Sequence, residues 1–192
     1  YHAEAMADPY HSPHLISSII NVQNNAEIKD SVMSCEWQSP DPWWPTMEAE
    51  MYKAATGYDM TAQELHDAAC RSKLLLRAFL IRNHGRNRRM EIEEVWRTMS
   101  IPDSWGEVAD WQQWNEMVDL VYEARDWDLE TGWPYREAYE KYGLKDVADE
   151  MEKLGYLPKR PAERWHDYGE PPFVKFTENC KEEAAQAAKA EK

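Results

Sequence analysis

This sequence predicts a mainly α-helical chain with long ordered connections, and three observations carry that prediction. Glycine is scarce, at 7 of 192 residues, too few for an all-β sandwich with many tight turns or for a Rossmann domain. Apolar residues recur at helical spacing over two long stretches, near residues 62–82 and 111–125. Helix-starting side chains precede those stretches, and glycines close most of the predicted helices.

The elements follow in order. The run HLISSIINVQNNAEIKDSVMS predicts one or two short helices, starting near Ser12-Pro13 and again near Asn24 or Asn25. WQSPDPWWP reads as a rigid loop, because Pro40, Pro42 and Pro45 keep the backbone extended or turning. Met47 to Thr56 reads as a short helix stopped by Gly57. Thr61 with Glu64 three residues on is a capping box, which predicts a helix from Ala62 to about Arg82. Its apolar face is expected to hold Leu65, Ala68, Ala69, Leu76 and Phe79, widened by Leu74, Leu75, Leu80 and Ile81. Gly85 stops it, and a loop crowded with arginines is expected beyond. Asp110 caps a helix from Trp111 to Arg125; shorter ones are expected at Tyr135–Tyr142 and Leu144–Leu154, ended by Gly143 and Gly155. From Pro158 onward the chain reads as an extended tail, and the closing KEEAAQAAKAEK as a solvated end.

Composition narrows the function. A formal charge of -14 argues against a nucleic-acid partner, since phosphate binding needs a basic face. No stretch of eighteen apolar residues is present, so no membrane span is expected. The opening YHAEAMADPYHSPH has no basic and apolar leader pattern and no initiator Met, so it reads as the interior of a longer chain. The three cysteines, Cys35, Cys70 and Cys180, lie far apart and suggest no disulfide framework; a reducing cytoplasm is the expected compartment. Ten tryptophans suit a domain that packs on another polypeptide or lines an aromatic site.

Three constellations could carry chemistry. Cys35 sits in DSVMSCEW, outside any long helical run, where a thiolate could ligate iron or simply fill space. His11 and His14 form an HxxH pair, but Pro13 between them makes a shared helical face doubtful, and a structural role is the plainer reading. Arg82, Arg86, Arg88 and Arg89 crowd around Gly85; they either neutralise Glu91, Glu93 and Glu94 or meet phosphate or carboxylate on a ligand. Cys70 reads as core and Cys180 as incidental.

Three ordered segments add a family resemblance. KDSVMSC, then TAQELHDAACRSKLLLRAFLIRNHGRNR, then LVYEARDWDLETGWPYREAYEKYGLKDVADEMEKLG together resemble the C-terminal region of the aldehyde ferredoxin oxidoreductase family, over roughly residues 20–156. The resemblance implies a helical C-terminal part of a larger enzyme holding a tungsten bis-pyranopterin (tungstopterin) beside a [4Fe-4S] cluster. It implies three cluster cysteines upstream of this chain and a fourth five residues after an aspartate. Asp30 would then contact the pterin and Cys35 would be the metal ligand, with Ser34 beside it at the cofactor. Family members usually carry Gly-Leu before that cysteine, where this chain has Met33 and Ser34. Arg86, Arg88 and Arg89 are the candidates for pterin or coenzyme A phosphate.

Departures in the middle segment, with the tryptophan load, favour the branch that contains the tungsten subunit of class II benzoyl-CoA reductase. That implies reduction of an aromatic acyl-CoA, with aldehyde oxidation to a carboxylic acid as the alternative. Expected partners are the upstream part of the enzyme and an iron–sulfur subunit or ferredoxin; no catalytic proton donor is assigned within this chain. A non-catalytic helical subunit and a relative that has lost its cofactor remain open. The expected organisation is a cofactor-proximal segment at 1–60, a helical domain at 61–156 and a tail at 157–192.

Overall fold

The computed structural model describes residues 13–35, 45–102 and 104–161, with side chains from Ile16 onward. The chain is mainly α-helical. Its helices are α1 (Pro13–Val32), α2 (Thr46–Thr56), α3 (Ala62–His84), α4 (Arg88–Met99), α5 (Trp111–Ala124), α6 (Arg136–Lys141) and α7 (Lys145–Lys153). Among the described residues the only β pairing is an isolated antiparallel bridge between Trp127 and Pro134.

Helix α3 is the spine, and its start is the predicted capping box. The Glu64 amide donates to the Thr61 hydroxyl at 3.2 Å, and the Thr61 amide donates back to the Glu64 carboxylate at 2.8 Å. Gly85 closes it in the left-handed conformation, φ 63°, and its amide donates to the Ile81 carbonyl. The N-terminal half of α3 packs Leu65 and Ala69 against Ile28 of α1 and Ala49 of α2. Its C-terminal half packs Leu74, Ala78 and Ile81 against Ala138, Tyr139, Leu144, Ala148 and Met151 of the α6–α7 region. The helix therefore joins two apolar clusters, and burial of those side chains holds the elements together.

Several expectations shift. The first stretch is one continuous 20-residue helix, α1, rather than one or two short ones, and it lies against α3 and α5. The buried stripe of α3 is rotated from the expected one. Ala68, Leu75, Leu76 and Phe79 are exposed and Arg77 turns inward, while Cys70 is buried as expected. A run of apolar residues this dense fits more than one stripe, and the partners on α6 and α7 decide which faces inward.

The clearest correction is α4. The arginines beyond Gly85 do not crowd a loop: Arg88 and Arg89 open a helix of 12 residues. Asn87 caps it, its side chain accepting from the Met90 amide at 3.2 Å, while Ile92 and Trp96 bury one face at i, i+4 spacing. Met47–Thr56, Trp111–Arg125, Tyr135–Tyr142 and Leu144–Leu154 appear as helices within a residue or two of their expected ends. Most of WQSPDPWWP, His11, Cys180 and nearly all of the tail lie outside the described residues, as does the side chain of His14.

Candidate functional site

The segment DSVMSC forms the end of α1. Lys29 is the last-turn residue whose carbonyl accepts from the Ser34 amide at 2.9 Å, and Met33 takes φ 57°. This is a Schellman termination, in which a left-handed residue reverses the chain and satisfies an otherwise orphaned helix carbonyl. The turn brings Asp30, in the last helical turn, and Cys35, two residues past the reversal, to the same end of α1, both exposed. Met33 is 93% exposed, the largest exposure of any big apolar side chain described. Beside it the Ser34 hydroxyl is buried without a hydrogen-bond partner. The Cys35 thiol, the Asp30 carboxylate and Met33 are thus all exposed at this end of α1.

The arginines go elsewhere. Arg88 is buried; its guanidinium pairs with Asp119 and donates to the Leu129 carbonyl at 3.0 Å and to the Asn115 side-chain oxygen at 3.0 Å. Arg89 is exposed and pairs with Glu93 one turn along at 2.7 Å. Arg86 donates to Glu91 at 2.7 Å. Glu91 also pairs with the buried Arg77 and accepts from the Tyr122 hydroxyl. Burial alone would push the Glu91 carboxyl up. The hydrogen bonds and charge of Arg77, with Tyr122 and Arg86, outweigh it and hold the carboxyl below the usual carboxylate range.

These pairs clasp the loop DWDLETGWP onto the start of α4. The Arg88 amide donates to the Thr131 carbonyl at 2.8 Å, and Trp133 donates its indole N–H to the Arg86 carbonyl at 2.9 Å. Arg77 donates to the Gly132 carbonyl at 2.7 Å. Within the loop, the buried Asp128 accepts from the Thr131 amide at 2.9 Å and from the Tyr135 hydroxyl at 3.1 Å. Gly132 sits at φ 70°, where an added Cβ would lie 2.7 Å from Arg77 and 2.9 Å from Tyr122. Only glycine fits there.

A groove of about 630 Å³ opens beside this clasp. Its walls are largely apolar, with Leu76 and Leu80 of α3, Val95 of α4 and Met117 and Val121 of α5, and it includes the Arg77–Glu91–Tyr122 network.

Residues 2–144 match the model described as aldehyde ferredoxin oxidoreductase, domains 2 and 3. The chain belongs to the aldehyde ferredoxin oxidoreductase family. No solved structure matches it.

Within the aldehyde ferredoxin oxidoreductase family frame, the α1 terminus would share in a cluster whose other ligands the resemblance places upstream. The described residues hold no group of three or more His, Cys, Asp or Glu placed to bind a metal ion; as the resemblance implies, Cys35 would be this chain's ligand to the cluster. The exposed thiol suits that share, whereas a cysteine packed in the core would not. The family glycine also acquires a physical reason: it falls at Met33, the left-handed residue of the Schellman turn. Met33→Gly should therefore stabilise the protein by about 0.5–1 kcal/mol, by removing the strain of a side chain at positive φ. A higher urea midpoint with an unchanged slope would be the readout.

The sequence left the arginine group open between ion pairs and an anion site, and the structure pairs Arg86 with Glu91 and Arg89 with Glu93. Arg88 in particular is enclosed by Asp119, Asn115 and Leu129, so it offers no face to phosphate. The sequence reading missed Asn24 and His66, which gather around Cys70. The spacing of His66 and Cys70, four apart on a helix, was the available signal.

Proposed function

We propose that the chain is the C-terminal part of a tungsten-pterin oxidoreductase in which Cys35 provides one thiolate to a [4Fe-4S] cluster and Asp30 contacts the pterin. The supporting observation is the α1 terminus: in a chain of this family, a Schellman turn presents the aspartate and the cysteine of the family pattern together on an exposed end. Thiolate is the ligand iron–sulfur clusters require, and a residue held by a hydrogen-bonded turn meets iron with little ordering cost. When bound, the tungsten cofactor and cluster would supply the electron transfer. The chain's own part is to fix one ligand and, through its helical body, to hold the α1 end rigid against the upstream part of the enzyme.

For the substrate we propose an aldehyde, oxidised to the carboxylic acid with electrons leaving to a ferredoxin or an iron–sulfur subunit. The family description supports this reading, and of the three arginines named for coenzyme A phosphate Arg88 is enclosed by Asp119, Asn115 and Leu129. The intact enzyme should contain tungsten and oxidise aromatic or aliphatic aldehydes with a low-potential acceptor. Turnover of an aromatic CoA thioester, with none of an aldehyde, would overturn the substrate assignment.

A further inference from the structure

We propose that Cys70 is a nucleophilic thiol, a site of S-modification by small soft electrophiles, set up by His66 and Asn24. The cluster draws on three elements. Asn24 of α1 is fully buried, and its amide nitrogen donates to the Cys70 sulfur at 3.3 Å and lies 3.0 Å from Nε2 of His66. Nδ1 of His66 lies 3.9 Å from the same sulfur, one turn earlier on α3. Arg125, at the end of α5, donates to the Asn24 side-chain oxygen at 3.3 Å and to Gln23 at 2.7 Å.

The proton positions follow from donor and acceptor chemistry. A guanidinium can only donate, so it fixes the Asn24 oxygen toward Arg125 and the amide NH₂ toward His66 and Cys70. Facing an NH₂, Nε2 of neutral His66 must accept, which places the ring proton on Nδ1. That Nδ1–H lies on the nitrogen 3.9 Å from the sulfur, so Cys70 has two donors beside it. A sulfur so placed is stabilised as thiolate, whereas a cysteine that merely filled core space would need no such company.

The other titratable groups nearby act on the same balance. Burial pushes the Cys70 thiol up, but hydrogen bonds with His66 and Tyr142 and the positive charge of Arg125 outweigh it and bring the thiol below its ordinary value. The hydrogen bond to Cys70 raises His66, against burial and with help from Asp67. Arg71, on the same helix, is exposed and spends its guanidinium on the Tyr142 carbonyl. Cys70 keeps 8% of its surface, which restricts the electrophile to a small one. In the step itself the thiolate attacks the electrophilic carbon, a sulfur–carbon bond forms and the leaving group departs with its electron pair.

The test is alkylation of the intact native protein by iodoacetamide, with iodide as leaving group, followed peptide by peptide by mass spectrometry across pH. Peptide resolution separates Cys70 from Cys35, so the outcome is independent of the cluster assignment. The expected result is a rate profile for Cys70 whose midpoint lies below the ordinary thiol value of about 8.5. His66→Gln should lower the rate near neutral pH severalfold, because the sulfur loses its imidazole partner. The wild-type profile decides the matter even if that variant folds poorly. Alkylation of Cys70 only after denaturation, a midpoint at or above the ordinary value, or a folded His66→Gln protein with an unchanged profile would each overturn the proposal.

Discussion

Replacing Glu91 by glutamine should destabilise the protein by about 3–5 kcal/mol, the usual cost of leaving one partner of a buried ion pair uncompensated. Glu91 accepts from Arg77, Arg86 and Tyr122 at once, and Arg77 is 7% exposed. A carboxamide has one oxygen for those donors and turns an NH₂ toward the rest. Arg77 and Arg86 both belong to the clasp on the 126–134 loop, through the Gly132 and Arg86 carbonyls, so that loop should loosen with the charge. Glu93→Gln, which breaks only the exposed pair with Arg89, should be nearly silent. Urea unfolding of the two variants checks the contrast.

The same carboxylate makes a pH prediction with a definite sign. Its folded pKa is depressed, so the unfolded chain binds the proton more readily. The contribution to stability is full above the unfolded carboxylate value of about 4.3, and it is lost as pH falls through the lower folded value. Glu91→Gln should flatten that part of the stability profile; an unchanged acid slope would show that Glu91 is not the group responsible.

Local signals were legible in the sequence, and long-range pairing was not. The Thr61–Glu64 box, the Asp110 cap and the glycine stops at 57, 85, 143 and 155 each act within a few residues, so they read directly as helix ends. Cys35 beyond a helix end was likewise visible, since DSVMSC carries no apolar period. Helix α4 was missed because the arginine density after Gly85 outweighed the quieter signals of Asn87 as cap and of Ile92 with Trp96. Arg88 stayed open between a nearby ion pair and an anion site because its actual partners, Asn115, Asp119 and Leu129, lie 27 to 41 residues away. Charge alone could not tell a ligand contact from an internal clasp. The left-handed turn at Met33 was hidden for a related reason: methionine gives no hint of positive φ, and only the family glycine at that place does.

The role proposed for the α1 terminus rests on one side chain. A [4Fe-4S] cubane needs four protein ligands, and serine in place of cysteine is a hard, poor ligand for iron. The most direct measurement is iron and acid-labile sulfide in the intact enzyme carrying Cys35→Ser, beside Cys180→Ser as control. The account predicts loss of most cluster iron and of electron transfer in Cys35→Ser, with the cluster retained in Cys180→Ser. Equal, full iron content in both variants would contradict it.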